Sequence, residues 1–412
     1  ATQHITYEDT RLKLALAIDG QESLVESNCL CDAEVNDLVN RGISLARHAP
    51  RNEEFFEPVP PQVYKESNAW FESTANLTLK DKVRSIEKIC GRARGQALEL
   101  YGNLESSIDS TSVMNSNGLF VEQPSTSIKL GLTAKTLNGN GSSQYHVSES
   151  DWNHFDFEKI FTDSAETAIK SNNPKHLSPG KYTVILSPKA VSEYLMFLFW
   201  GMDARMSDLG QSFFANDNGT KLGQKLFDEK INLSSIHLHP RLPQLKFGQA
   251  FGSGGSAAGS VFSLGLPVSS INWIENGVVK NLRYSPYYAK LKGKKPIGYP
   301  FNLVLGGGES SVAELIKDVA HGILVNSFWY VNPTDWNSIS LTGLTRDGTF
   351  LIKNGEIAEP VNSFRFNDSP VKSLNKITGM SKQEKTHGEY WPCLMPWLRI
   401  EEFNMSAVST AV

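Results

Sequence analysis

Short apolar stretches separated by turn-forming residues mark the segment from His321 to Pro360. Asn332-Pro333 interrupts the first stretch, and Arg346-Asp347-Gly348 and Asn354-Gly355 interrupt those that follow. Asp-Gly and Asn-Gly are the residue pairs that adopt the positive φ angles of tight hairpins. The pattern therefore predicts an antiparallel meander with a turn at each interruption. Its strands are expected at Val325 to Val331, Leu341 to Thr345 and Thr349 to Lys353.

Apolar residues at helical spacing predict four further elements. These helices are expected at Asp32 to Ala46, Leu77 to Tyr101, Phe155 to Ser171 and Ser187 to Met206. A strand from Ile5 to Leu16 with a hairpin tip at Ala17 to Gly20 is expected before them. Two paired strands around Asn117-Gly118 are expected between the second and third helices. We predict those strands at Ser106 to Val121 and Ser125 to Leu137.

The pattern of predicted helices and turns changes near Ser178-Pro179-Gly180. Before this point helical patterns alternate with strands, whereas after it turn signals recur at short intervals and helical patterns are few. A chain of 412 residues also exceeds the size at which a single core usually keeps growing. We therefore predict an α+β protein of two domains. The first covers residues 1–177 and contains helices and a sheet; the second covers residues 178–412 and is mainly antiparallel β-structure.

Composition and charge exclude several classes of partner. Apolar residues make up 40% of the chain and charged residues 20%, which suits a soluble globular protein with sizeable cores. The formal net charge of −4 gives no electrostatic reason to expect nucleic-acid binding. No apolar run approaches the ~20 residues needed to cross a bilayer, and the first residues lack the order of a signal peptide. We expect neither nucleic acid nor membrane as a partner.

Four cysteines are scattered at Cys29, Cys31, Cys90 and Cys393. The single residue between Cys29 and Cys31 is too tight a spacing for a zinc knuckle. Free thiols in a reducing compartment are the ordinary interpretation of such a set. The sequence therefore predicts a cytoplasmic protein.

Several sequence segments, most of them in the second half of the chain, resemble those of a known family. TGLTRDGTFLIKNGEI, preceded by FWYVNP and followed by FRFNDSP, closely resembles the C-terminal domain of the TldD/PmbA family. Members have been called modulators of DNA gyrase and are regarded as peptidases and peptidase partners. Other segments fit in the same order, so that the resemblance spans about residues 75 to 412. These are NSNGLF at 115–120, SPGKYTVILSPKAVSEYLMFL at 178–198, SFFANDNGTKLGQKL at 212–226 and LRIEEFNMSAVSTAV at 398–412.

The resemblance implies an N-terminal α+β domain and a mostly antiparallel, barrel-like C-terminal domain. The chain begins inside what resembles the first sheet of the family. We therefore expect that an N-terminal segment of the usual family length is missing.

The family's catalytic branch carries His-Glu-x-x-x-His on a helix just after the PGKYTVILSP-like strand. Two imidazoles there bind zinc, and the glutamate activates the metal-bound water. In this chain the corresponding helix has no histidine, and it contains Ser192, Glu193 and Phe197. Glu193 is the remnant of the motif glutamate, and Cys393 lacks the Cys-Gly-Lys context of the third ligand. We expect a vestigial site helix with no catalytic residue, metal or cofactor, zinc being held only by a catalytic partner.

Two further segments are candidate parts of a groove or of a subunit interface. The glycine-rich loop containing Gly254 and Gly255 corresponds to family positions near the substrate cleft. Arg346 and Asp347 match the family most sharply, and the arginine is a candidate to pair with an acidic group across a dimer contact. As part of a hairpin turn, Asp347 is expected to cap nearby backbone amides. The apolar site helix is expected either in the core or at a subunit interface.

The resulting hypothesis is a non-catalytic member that resembles the TldE/PmbA branch. It would pair with itself, as a homodimer, or with a zinc-bearing TldD-like subunit, and would shape a groove for unfolded peptide. Two alternatives stay open. One is a homodimeric peptide-binding or regulatory protein without an enzymatic role, and the other is a hydrolase with an unrecognised site.

Overall fold

The computed structural model describes residues 3–137, 139–248, 264–387 and 391–409. Its first elements are the strands β1 (Leu12–Ile18) and β2 (Gln21–Ser27), followed by the helix α1 (Asp32–His48). Asp19 and Gly20 form the β1–β2 turn with φ angles of 51° and 81°, as the hairpin tip predicted. The strand begins at Leu12 rather than at Ile5, and α1 packs on the hairpin through Leu38, Gly42 and Ala46.

A three-stranded antiparallel sheet with two helices on one face follows a proline-rich connector. The sheet has the order β3 (Leu98–Met114), β4 (Phe120–Thr136) and β5 (Ser142–Glu149). The short helix α2 (Glu72–Ala75), α3 (Leu79–Gly95) and α4 (Phe157–Lys170) complete this part. Alternate residues of β4 point to the helices, so that Ile128, Leu130, Leu132 and Ala134 share one core with Phe161.

The predicted helix from Leu77 to Tyr101 was too long. α3 ends at Gly95, and Leu98 already starts β3. The alternating pattern of Leu98 and Leu100 belongs to the strand, where both side chains join the core under the helices. A helical and a strand-like spacing overlap here, and tertiary packing selects the strand.

The second half contains a closed ring of five hydrogen-bonded strands. In ring order these are β6 (Gly180–Leu186), β13 (His321–Asp335), β14 (Ser340–Lys353), β16 (Phe364–Asp368) and β18 (Pro392–Val408). β18 pairs back onto β6, and the β6–β13 pair is the one parallel contact within the ring. The sheet continues beyond the ring, so the structure is a mostly antiparallel, ring-like sheet rather than a clean barrel.

Other elements extend this large sheet or cover it. From β18 the sheet continues through β12 (Leu303–Leu305), β9 (Leu233–Ser235), β10 (Ile271–Glu275) and β11 (Val278–Val279). β15 (Glu356–Pro360) pairs with β14, and β17 (Ile377–His387) pairs with β18. The remaining described strands and helices are β7 (Ala215–Asn216), β8 (Gly219–Thr220), α6 (Ala204–Asp208), α7 (Pro286–Leu291), α8 (Val312–Lys317) and α9 (Pro370–Ser373).

The helix α5 (Pro188–Gly201) occupies the core that the ring surrounds. Its buried residues share one apolar cluster with side chains from all five ring strands, among them Val184, Val325 and Phe366. Tyr194 lies at the centre, with its ring centroid 5.7 to 6.1 Å from those of Phe328, Phe366 and Phe403. A helix with apolar residues on most of its surface is stable only when it is enclosed in this way.

The structure corrects two of the predicted turns. β13 continues through Asn332-Pro333, where Pro333 pairs with Leu341. Proline is tolerated because β6 pairs with β13 only at Gly322 to Val325 among the described residues, which leaves one side of Pro333 without a strand partner. The turn lies instead between β13 and β14, at residues 336–339.

Arg346-Asp347-Gly348 is not a hairpin turn but a bulge within β14. The β13–β14 register passes from Val325–Thr349 to Ser327–Arg346, so that Asp347 and Gly348 lie opposite Asn326 alone. Their φ angles are 51° and 114°. Positive φ is required in tight turns and in bulges alike, so the residue types could not distinguish the two. The turn at Asn354-Gly355 is present, with φ angles of 50° and 80°.

Candidate functional site

The start of α5 is fixed by its cap and by its attachment to β13. The Ser187 hydroxyl accepts a hydrogen bond from the Ala190 amide at 3.2 Å, and Pro188 occupies the first turn, where its missing N–H costs nothing. The same hydroxyl donates to the Asn326 carbonyl, and the Ser187 amide donates to the Val325 carbonyl at 3.0 Å. The helix that resembles the family's site helix is therefore held firmly against β13.

Ser192 and Phe197 lie inside the protein. Ser192 is 3% exposed, and its hydroxyl donates to the Lys189 carbonyl of its own helix at 2.8 Å. Phe197 is 5% exposed and packs edge-on against Trp200, with 5.2 Å between ring centroids. Neither side chain faces solvent in the isolated chain. Their roles here are packing and helix geometry.

Glu193 connects α5 to the neighbouring strand. One carboxylate oxygen lies 2.9 Å from the Lys189 ammonium, and the other accepts the Phe328 amide at 2.8 Å. The Glu193 side chain is 14% exposed, and that of Lys189 is 22% exposed. A charge-assisted hydrogen bond in such a shielded place is stronger than one in water. Both oxygens of the one acidic side chain in α5 thus take part in structural contacts.

The bulge in β14 joins the two halves of the chain. The Asp347 side chain is 8% exposed, and its carboxylate accepts the Ser142 hydroxyl of β5 at 2.9 Å. The prediction that Asp347 caps nearby backbone amides of a hairpin turn was wrong, because no turn exists there. Arg346 places its guanidinium 4.6 Å from the Trp329 ring centre, which is a cation–π contact.

His146 and Lys189 are the other titratable groups near this bulge. Desolvation lowers the pKa of His146, the Lys189 ammonium lowers it further, and the Asp347 carboxylate opposes both effects. The imidazole is therefore mostly neutral at pH 7. Sequence analysis missed His146 and Lys189. The spacing of Lys189 and Glu193 by four helical residues was a readable signal, whereas nothing in the sequence linked β5 to the bulge.

The donors on α5 do not fit a zinc site of the family type. Thirteen of its fourteen residues lack a carboxylate, thiol or imidazole, and Glu193 is held by Lys189 and the Phe328 amide. Within the ranges that the structure describes, no group of three or more His, Cys, Asp or Glu side chains is placed to hold a metal ion. Cys393 is buried in β18, with its thiol 3.5 Å from the Trp391 carbonyl oxygen.

Gly254 and Gly255, the other predicted groove residues, lie outside the described residues. Two concavities of about 600 and 430 Å³ occur elsewhere in the described chain. The first lies beside the β1–β2 turn and includes Arg51; the second lies between β4 and residues 243–247. Of the described helices, none is long and apolar enough to span a bilayer.

The chain combines a ring-like sheet around an apolar helix with a smaller sheet that has its own helices, and models of a family of metallopeptidase-related α+β proteins match both parts. The family model for the PmbA/TldA metallopeptidase C-terminal domain matches residues 179–407. The model for the central domain of the same proteins matches residues 72–172. The chain belongs to the PmbA/TldD family.

Curated relatives are distant and longer. A metalloprotease of Methanothermobacter thermautotrophicus is 23% identical over 288 residues, which cover 68% of this chain and 61% of the relative. A zinc metalloprotease TldD homolog of Saccharolobus solfataricus is 22% identical over 237 residues, which cover 52% of this chain and 46% of the relative. The chain thus spans less than two thirds of the length of these relatives.

Solved structures share the fold more completely. TldE from Thermococcus kodakarensis superposes with a TM-score of 0.79 at 17% identity, covering 96% of this chain and 89% of that one. A structure named "putative modulator of a DNA gyrase" from Thermotoga maritima gives a TM-score of 0.77 at 18% identity with the same coverage. At such identities the likeness establishes the architecture.

Proposed function

We propose that this chain is a non-catalytic member of its family, which pairs with itself or with a zinc-bearing TldD-like subunit. In either pair it shapes a groove for unfolded peptide, and in the pair with a TldD-like subunit that subunit supplies the metal and the general base. The hydrolysis belongs to the partner because this chain has no ligand set to offer on α5. The protein is cytoplasmic under this proposal.

The observation that carries the proposal is the arrangement of Glu193. A catalytic glutamate has to reach a metal-bound water, so its carboxylate must face an open position. Here both oxygens contact Lys189 and the Phe328 amide, and the neighbouring Ser192 and Phe197 are buried. A lysine beside the glutamate also adds positive charge where a divalent cation would have to bind. The helix supports its strand ring instead of presenting ligands.

The test is to purify the chain, measure bound zinc, and assay cleavage of an unfolded peptide by the chain alone and with a TldD-like subunit. We expect substoichiometric zinc and no cleavage by the chain alone. Stoichiometric zinc together with hydrolysis by the isolated chain would refute the proposal. Light scattering of the chain and of the mixture distinguishes a homodimer from a heterodimer.

One substitution in each of the two subunits tests which of them carries the catalytic glutamate. Glu193→Gln retains an oxygen that accepts the Phe328 amide, so the mixture containing it should cleave at the wild-type rate. Replacing the motif glutamate of the TldD-like subunit should abolish cleavage. Loss of cleavage with the Glu193→Gln chain, while its fold and pairing are intact, would place catalysis in this chain.

A further inference from the structure

Two cysteine sulfurs lie against one another on the surface near the start of α1. The Sγ atoms of Cys29 and Cys31 are 3.0 Å apart, and both residues are exposed. Cys31 is the residue that precedes the first turn of α1, a helix of 17 residues. The other two cysteines differ in setting, because Cys90 is half-buried and Cys393 is buried.

The distance between the two sulfurs favours a covalent bond over a shared metal ion. Two thiolates on one tetrahedral zinc would lie ~3.8 Å apart, since each Zn–S bond is ~2.3 Å, and linear coordination would separate them further. A disulfide needs ~2.05 Å, so the sulfurs have to approach by about 1 Å. The two cysteines have one residue between them, and both side chains are exposed.

The surroundings give the two thiols different reactivity. The hydrogen bond with Cys29 lowers the pKa of Cys31, and the backbone amide of Glu34 lowers it further. The same contact between the thiols raises the pKa of Cys29. The positive end of the α1 dipole also favours a thiolate at Cys31. The nearby Glu34 carboxylate opposes this, but it is paired with Arg41 at 2.9 Å.

We propose that Cys29 and Cys31 form a reversible dithiol–disulfide site that exchanges with low-molecular-weight disulfides. The Cys31 thiolate attacks one sulfur of such a disulfide, RSSR, and releases one RS⁻ as a mixed disulfide forms. Cys29, after losing its proton, attacks Cys31 Sγ and releases the second RS⁻. Both leaving thiolates are protonated in water, so two cysteine thiols and one RSSR give one protein disulfide and two RSH.

The sequence provides a direct measurement. Cleavage after lysine and arginine leaves Cys29 and Cys31 together on the peptide from Leu14 to Arg41, whereas Cys90 lies on Ile89 to Arg92 and Cys393 on Thr386 to Arg399. The native protein is treated with oxidised glutathione, its remaining thiols are alkylated, and the peptides are weighed. We expect the Leu14–Arg41 peptide to lose the mass of two hydrogens and to carry no glutathione.

Two variants test the assigned roles. Cys29→Ser should retain one glutathione on Cys31, because no second thiol resolves the mixed disulfide. Cys31→Ser should react about tenfold more slowly, because the remaining thiol at Cys29 is not the residue at the positive end of the α1 dipole. Cys90→Ser serves as the matched control and should behave as the wild type. Dithiothreitol should restore both thiols.

Other results would overturn the proposal. Wild-type protein that keeps glutathione on Cys29 or Cys31, or that leaves both thiols free while Cys90 reacts, has no such site. Equal reaction rates for the two single variants would also contradict the assigned order of attack. Because both side chains are exposed, the serine variants are expected to fold, and circular dichroism checks this.

Discussion

The carboxylate of Glu193 bridges α5 and β13 through Lys189 and the Phe328 amide. Replacing Glu193 by alanine leaves a shielded backbone donor and an ammonium without this partner. We expect the free energy of unfolding to fall by about 1 to 3 kcal/mol in urea titrations, because an unsatisfied buried donor costs about that much. Glu193→Gln should cost less, since it retains the acceptor.

Glu166 provides the matched control for this change. It pairs with Lys170 at 2.9 Å across four helical residues of α4, but both side chains are about 60% exposed. Glu166→Ala should therefore change the free energy of unfolding by about 0.5 kcal/mol or less. Equal losses for the two variants would show that Glu193 is no more than a surface ion-pair residue.

Residue-scale roles were only partly predictable from the sequence. Glu193 was identified because it lies in a segment that resembles the family's site helix. Its pairing with Lys189 follows from their helical spacing. The role of Asp347 could not be predicted, because its partner Ser142 lies 205 residues away in sequence. Such a contact depends on how two separate sheets are placed, which local patterns do not determine.

At the scale of elements, the bulge in β14 depends on Gly348. A Cβ atom at this position would lie 2.4 Å from Asn326 Nδ2 and 2.9 Å from Thr167 Cγ2, at a φ of 114°. We expect Gly348→Ala to lower the free energy of unfolding by about 2 to 4 kcal/mol, through both backbone strain and the clash. Thermal or urea unfolding measures it.

Gly210 separates these two contributions. Its φ is 73°, but a Cβ there would meet nothing within 4 Å. Gly210→Ala should therefore cost about 1 to 2 kcal/mol from strain alone. If the two glycine variants lose the same stability, the clash of the added Cβ atom with Asn326 and Thr167 contributes nothing to the loss.

A half-buried ion pair joins β17 to β5, and hence the large sheet to the smaller one. Lys385 and Glu149 are in direct contact, and each side chain is 15% exposed. Lys385→Met should lower the free energy of unfolding by about 2 to 4 kcal/mol, because it leaves a shielded carboxylate without its partner. Adding Glu149→Leu should recover most of this loss.

The exposed pair Lys353–Glu359 is the control for the ion pair. Its side chains are 50% and 34% exposed, so Lys353→Met should cost about 1 kcal/mol or less. A double variant at Lys385 and Glu149 that is no more stable than Lys385→Met alone would contradict the expected penalty for an unpaired, half-buried charge. Chemical denaturation of all four proteins makes the comparison.

Elements were predicted well where one periodicity prevailed and poorly where two signals coincided. α1 and α4 follow from their apolar spacing, and the turns at Asp19-Gly20 and Asn354-Gly355 follow from residue type. The bulge and a hairpin turn require the same positive φ, so Arg346-Asp347-Gly348 was assigned to the wrong one. The closure of β6 onto β18 joins strands far apart in sequence and left no local signal.

The free energy of unfolding of the whole molecule should fall at alkaline pH, because two partly buried tyrosines ionise less readily in the folded than in the unfolded chain. Burial raises the pKa of Tyr145 and of Tyr299 from 10.0 to about 12. The unfolded chain ionises these phenols near pH 10, whereas the folded chain keeps them protonated until about pH 12. Each therefore contributes up to roughly 2 to 3 kcal/mol below pH 10, which is lost as the pH rises to about 12.

Urea titrations at several alkaline pH values test this expectation. Tyr145→Phe removes one ionising group, so its stability should fall less steeply above pH 10 than that of the wild type. Tyr7→Phe is the control, because Tyr7 is 84% exposed, and its curve should parallel the wild type. A Tyr145→Phe curve that also parallels the wild type would show that this phenol is not held protonated by burial.

The position of α5 inside the strand ring has a consequence for biosynthesis. The helix leaves the ribosome well before β13, β16 and β18, whose aromatic side chains surround Tyr194. Until those strands are synthesised, a strongly apolar helix is not enclosed and exposes an apolar surface that promotes aggregation. We expect nascent chains to depend on chaperones during this interval, and ribosome-bound intermediates that end between α5 and β13 to be the most prone to aggregation.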